Sequence, residues 1–298
     1  MMFINPKTDY AFKKIFGSSE SKDILISFLN ALIYEGNSTI EDLEIINPNL
    51  PPKVLGLKDT YLDVKAKLSD GTLVIIEMQV LNVESFGKRV LYNAAKTYAF
   101  QLQATEGYRM LKPVIALTIT DFQMFAKSQK LISRFVYKEI EDNLICPEAE
   151  IELVFVELPK FTKQEHELET LADKWIYFMK NARSLTSIPE IMDSIPEIHK
   201  AFDIANQVNL SREEADDLDR REQFIHDQQG AIIKASREAR EEGIQEGREE
   251  GREEGREEGM QFEKLAIAQK LLSQLDNATI GQVTGLSVEE VQNLRDLI

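Results

Sequence analysis

Apolar and polar residues alternate with a period of two across residues 60–80, TYLDVKAKLSDGTLVIIEMQV, which predicts two antiparallel strands around the turn signal Asp70-Gly71. Leu62, Val64, Ala66 and Leu68 form one face of the first strand, and Thr72, Val74, Ile76, Met78 and Val80 one face of the second. A two-residue loop would set Leu62 across from Gln79 and mix the two faces, which a half-buried sheet resists. A three-residue loop, Ser69-Asp70-Gly71 with Gly71 left-handed, aligns them. Leu62 then lies opposite Met78, Val64 opposite Ile76 and Asp63 opposite Glu77, with Gln79 on the acidic face one pleat along.

A helical period governs the flanks. Residues 5–16 place Tyr10, Phe12, Ile15 and Phe16 at helix spacing behind Thr8 or Asp9, and residues 21–34 put Ile24, Leu25, Phe28, Leu29 and Leu32 on one face. Residues 43–46 are a short apolar strand, after which Pro48, Pro51 and Pro52 break the chain. Residues 85–105 predict a long helix with the apolar stripe Phe86, Val90, Leu91, Ala94, Ala95, Tyr98 and Leu102, while Arg89, Tyr92 and Lys96 share another face. The segment PVIALTIT at 113–120 reads as a strand buried on both faces, the product of a βαβ crossover, and 152–158 adds a further strand. The fold class predicted is α/β: a mixed sheet of about five strands with helices on its faces, followed by a helical C-terminal tail.

Four segments follow from these shifts: a core at 1–160, a helical extension at 161–235 containing the single tryptophan Trp175, a charged repeat at 236–262, and a small tail at 263–298. The repeat, EGREEGREEGREEG, has no large apolar side chain, so burial cannot fold it. Each glycine costs about 1 kcal/mol against alanine in a helix, while pairs such as Glu249 with Arg252 return a few tenths. It reads as a solvated helix or a flexible linker, with an oligomeric helix as the sharper alternative. The tail has a helix-turn-helix outline at Thr284-Gly285-Leu286-Ser287, but Glu289, Glu290 and Asp296 oppose Arg295 in the second helix, so protein contact or self-association is expected there rather than DNA binding. A homo-oligomer formed through the tail is the corresponding expectation.

Composition narrows the picture. Apolar residues make up 43% of 298, enough for a real core. A single cysteine, Cys146, excludes a disulfide framework and a Cys-rich zinc site, and His166, His199 and His226 have no ligand spacing. The opening MMFINPKTDY lacks a basic region followed by an apolar stretch, and no apolar run approaches a membrane span; a soluble, cytoplasmic protein without a membrane partner is expected. The net charge of −16 alone argues against nucleic acid, but residues 211–298 carry −10 of it and the rest only −6.

Opposed like charges destabilise a strand pair, so Asp63 and Glu77 call for a partner. A divalent cation held by two carboxylates and water is one; a solvated outer face with Lys65 and Lys67 neutralising the acids is the other. The residues NPKTDYAFKKIFG with a following FLNALI helix, Asp63 with Glu77-Met78-Gln79, SFGKRVLYNAAKTY, and the glycine-charged repeat together resemble the PD-(D/E)XK nuclease superfamily, and more closely its recombination-promoting nuclease/transposase (Rpn) branch.

That resemblance covers about residues 5–159 and implies a restriction-endonuclease-like αβββαβ core and a Mg²⁺-dependent DNA endonuclease, with Mn²⁺ as an alternative ion. It implies Asp63 and Glu77 as metal ligands and Asp63, Glu77 and Gln79 as catalytic residues, with Asp9 and Lys13 as accessory groups. Arg89, Tyr92 and Lys96 become phosphate or DNA contacts. Leu62 stands where the superfamily has proline, and Gln79 where it has lysine, although the Rpn pattern itself has glutamine. An amide accepts no proton near neutral pH, so Gln79 can orient a group but not act as a base. The alternative is a nuclease-like protein that no longer cuts and acts as a binding or regulatory module through its tail.

Overall fold

Thr8 starts the first helix: its Oγ1 accepts the Ala11 N–H, and α1 (Asp9–Phe16) follows with Ala11, Phe12, Ile15 and Phe16 buried. The computed structural model describes residues 2–50, 60–103, 105–148 and 150–297; Pro51 and Pro52 of the chain break lie outside them. The remaining elements are α2 (Lys22–Ile33), β1 (Leu43–Ile46), β2 (Asn49–Leu50), β3 (Thr60–Tyr61), β4 (Val64–Leu68), β5 (Leu73–Gln79), α3 (Phe86–Ala99), β6 (Val114–Thr120), β7 (Ile132–Phe135), β8 (Ile151–Glu157), α4 (Leu171–Asn181), α5 (Glu190–Asp193), α6 (Pro196–Ala205), α7 (Arg212–Leu271), α8 (Asn277–Thr284) and α9 (Val288–Asp296). Two compact units divide the chain, Met1–Gln228 and Gln229–Ile298.

The first unit holds a six-stranded mixed sheet in the order β1-β4-β5-β6-β8-β7. The strands β5, β6 and β8 run parallel, and β1, β4 and β7 pair antiparallel with their neighbours. The hairpin register is the one parity requires. Val64 pairs with Ile76, the Leu68 N–H bonds to the Thr72 carbonyl, and Gly71 closes the three-residue loop at φ +91°, a conformation that favours glycine. One side of the sheet packs under α1, α2, α4 and α6, where Phe12, Phe16, Phe28 and Trp175 cluster and the Trp175 indole donates to Ser27 Oγ at 3.1 Å. On the other side Phe86, Val90 and Ala94 of α3 cover Leu73, Ile75, Val114 and Ala116.

Two features differ from the sequence pattern. The sheet has six strands because β7, four residues long and half polar, pairs with β8 at an edge where one-sided burial suffices. The helix after the hairpin ends at Ala99, and its inner face carries Asn93, Lys96 and Thr97 while Leu91 and Ala95 face outward. That rotation follows from the sheet surface beneath it, which presents Glu77 beside its apolar residues. The repeat is helical throughout, as part of α7, in keeping with the solvated-helix reading, and apart from the helix's own nearby backbone nothing lies within 4 Å of where a Cβ on Gly243, Gly247, Gly251, Gly255 or Gly259 would stand.

The second unit has its own small core, Ala268, Leu272, Ile280, Leu286 and Val291. Ser287 caps α9 in a capping box with Glu290. Arg295, the cation of that helix, is spent on the Leu272 and Leu275 carbonyls at 2.7 and 3.0 Å.

Candidate functional site

The polar residues of the hairpin sit where β4 begins and β5 ends. The regular ladder stops at Val64, and at the next position the Asp63 carboxylate takes over: Oδ2 accepts the Met78 N–H at 2.7 Å. Its other oxygen lies 3.6 Å from Lys13 Nζ, which is 2.7 Å from Asp9 one helical turn back on α1. Burial, then the hydrogen bond shared with Asp9, push Asp63 up to about 8, so it carries a proton at neutral pH. Asp9 is held below the usual carboxylate range despite its own partial burial, by Asp63 and Lys13. Lys13 is correspondingly held protonated by the two acids, against the effect of burial.

Glu77, on β5, is buried, and that burial raises its pKa. Two donors oppose the rise: Asn93 Nδ2 at 2.5 Å from Oε1, and Arg89 at 3.7 Å from Oε2. The Gln79 amide is engaged at both ends, accepting from Arg89 Nη2 at 2.5 Å and donating to the Leu81 carbonyl at 2.7 Å. The acids of the hairpin are therefore not a solvated face. Their ion-pair partners among the described residues are Lys13 and Arg89, not Lys65 or Lys67.

Asp9, Lys13, Asp63, Glu77, Gln79 and Arg89 are thus brought together. Tyr92 stands one turn along α3, partly exposed. Lys96 is 5% exposed, with its ammonium 5.9 Å from the Tyr92 ring centre and 5.5 Å from that of Phe100, beneath the surface on which Arg89 lies.

Sequence reasoning missed three contributors. Asn93 was legible only as a polar residue three positions after Val90. Asp121 follows β6, donates its N–H to the Gln79 carbonyl and pairs with Lys7 at 2.8 Å. Glu157, at the end of β8, is fully buried in an ion pair with Lys160; its Oε1 accepts the Met124 and Phe125 amides at 2.6 and 3.0 Å, fixing the loop after β6.

The donor set at the strand ends is all oxygen, the chemistry of a hard divalent cation. Among the described residues no group of three or more His, Cys, Asp or Glu could enclose such an ion. Two carboxylates, Asp63 and Glu77, lie at these strand ends, the number that Mg²⁺ commonly takes alongside water and phosphate. Among the described residues no helix is long and apolar enough to cross a membrane. A family model described as PD-(D/E)XK nuclease family transposase matches residues 6–235. No curated protein and no solved structure matches the chain.

Proposed function

The chain belongs to the PD-(D/E)XK nuclease family transposases, and from that premise we propose that it is a Mg²⁺-dependent DNA endonuclease whose metal ligands are Asp63 and Glu77. The observation that carries the reading is the placement of two carboxylates at the ends of adjacent strands, Glu77 buried on β5 and Asp63 partly buried just before β4, each already bonded to a neighbour that orients it. A divalent ion bound there supplies the Lewis acid that lowers the pKa of water and offsets charge on the phosphodiester.

The chain's own groups do the rest. The Met78 N–H fixes one Asp63 oxygen, and Asn93 fixes one Glu77 oxygen. Lys13 remains an ammonium between Asp9 and Asp63, so it serves as a donor to phosphate oxygen and not as a base. Gln79 holds Arg89, whose planar fork suits a phosphate, and Tyr92 flanks it on the exposed side of α3. Lys96 contributes from below, through Tyr92. The tail unit, with Arg295 committed to its own carbonyls, is assigned to self-association and not to DNA.

Incubation of the purified protein with duplex DNA and Mg²⁺ tests the proposal. Asp63→Ala and Glu77→Ala are each expected to lower cleavage by about 100-fold or more, beyond what loss of a metal's supporting residue costs. Cleavage unaffected by Asp63→Ala would sink the assignment. A second reading, a nuclease-like protein that binds without cutting, is favoured by the Gln79 amide being occupied at both ends; it predicts duplex binding and no Mg²⁺-dependent product.

A further inference from the structure

The opening turns of α7 belong to the first unit, and their packing delivers an arginine to the mouth of the site. Leu218 is buried in the main core, Glu214 accepts from the Tyr10 hydroxyl and from Lys14 at 2.8 Å, and Glu222 pairs with Arg183 at 3.3 Å. Glu214, Leu218, Arg221 and Glu222 recur at helical spacing, so one face of α7 carries them all. Arg221 stands beside α1, with Nη1 3.6 Å from Asp9 Oδ2 and Nε 2.7 Å from Asp217.

We infer that Arg221 is a phosphate-contacting residue of the same site, so that α7 completes the nucleic-acid surface of the nuclease unit. The inference rests on the endonuclease reading above. Asp9 already has Lys13 at 2.7 Å, so Arg221 is not required to neutralise it. Its side chain is 45% exposed, and among the described residues its Nη2 has no hydrogen-bond partner. An exposed pair at 3.6 Å holds the guanidinium loosely enough to be exchanged for a phosphate.

Charge balance points the same way. Asp9, Asp63, Glu77 and Asp217 pair with Lys13, Arg89 and Arg221, and a divalent ion held by the carboxylates would turn that group net positive, ready for a phosphodiester. Arg89 and Arg221 then flank the carboxylates from α3 and α7. Both the compact unit, to Gln228, and the family match, to residue 235, extend far enough to include Arg221.

The test is the salt dependence of duplex binding by the full chain, measured by anisotropy in Ca²⁺, a hard cation that oxygen ligands also accept, with the duplex checked for integrity. Each phosphate contact contributes a slope of about −0.9 in log K against log salt, so Arg221→Gln should flatten the slope by about 0.9 and weaken binding about tenfold at about 50 mM salt. Arg221→Lys should keep the slope. Arg220→Gln, at a neighbour 73% exposed and 3.9 Å from Asp217, should match wild type. Trp175 fluorescence reports whether each variant keeps its core. An Arg221→Gln slope equal to that of wild type, or tighter binding, overturns the inference and leaves the endonuclease reading standing. A wild-type protein that binds no duplex overturns both.

Discussion

Replacing Asn93 with alanine in metal-free protein should cost the first unit about 2 kcal/mol at neutral pH, the scale of a hydrogen bond to a buried charged group. Asn93 is 2% exposed and Glu77 8%, and the 2.5 Å bond between them is the closest support of that carboxylate; Arg89 stands at 3.7 Å. Burial raises the folded pKa of Glu77 above its unfolded value, so between those two values the native state binds more protons and stability falls as pH rises. Without Asn93 the folded value climbs further. The gap between wild type and variant should therefore open with rising pH. Below the ordinary carboxylate pKa, where Glu77 is neutral in both states, it should shrink to about 1 kcal/mol or less.

The Asn93 Oδ1 atom is buried without a partner, so alanine also removes an unsatisfied acceptor. That relief is the same at every pH, which makes the pH-dependent part of the loss the cleaner quantity. Urea titration in EDTA, followed by the fluorescence of buried Trp175, measures it for the first unit alone. In a Glu77→Gln background the pH dependence should vanish. A loss of equal size on both sides of the carboxylate range would refute the reasoning.

Mg²⁺ binding near neutral pH should release about one proton, since Asp63, pushed up to about 8, must give one up to act as a ligand; calorimetry in buffers of different ionisation enthalpy reads this, and Asp63→Asn should abolish it. Lys160→Met leaves Glu157 buried without its cation and should cost about 3–5 kcal/mol, with much of the thermal stability restored by adding Glu157→Gln. Val291→Asp, at the centre of the small helical core, should remove tail helicity in circular dichroism and leave the Trp175 transition in place.

The hairpin was readable because two constraints met there: apolar parity on both strands, and a turn sequence that admits a three-residue loop. Together they leave one register, in which Val64 meets Ile76, and Asp63 lies just beyond that last pair with its side chain on the Met78 amide. The α3 stripe was only half readable. Periodicity chose Leu91 and Ala95 as inward residues, but α3 must also cover Glu77, and a buried carboxylate draws Asn93 inward instead. Edge strand β7 carries too little apolar pattern to stand out, and Glu157 looks like the polar end of a strand until Lys160 and two loop amides are seen around it. Nothing local in the charged opening of α7 tells Arg221 from Arg220; only the burial of Leu218 fixes which side faces α1.

The Met78 amide has a use beyond closing the hairpin. It donates to a titrating carboxylate where a strand amide ordinarily meets a carbonyl, so its acceptor changes charge while its surroundings stay fixed. In a ¹⁵N-labelled sample this one backbone resonance should move as Asp63 loses its proton and move again as a cation takes the proton's place. Its hydrogen-exchange rate should slow in the charged state. A single cross-peak then reports site occupancy in the intact chain, with no substrate added and no residue replaced.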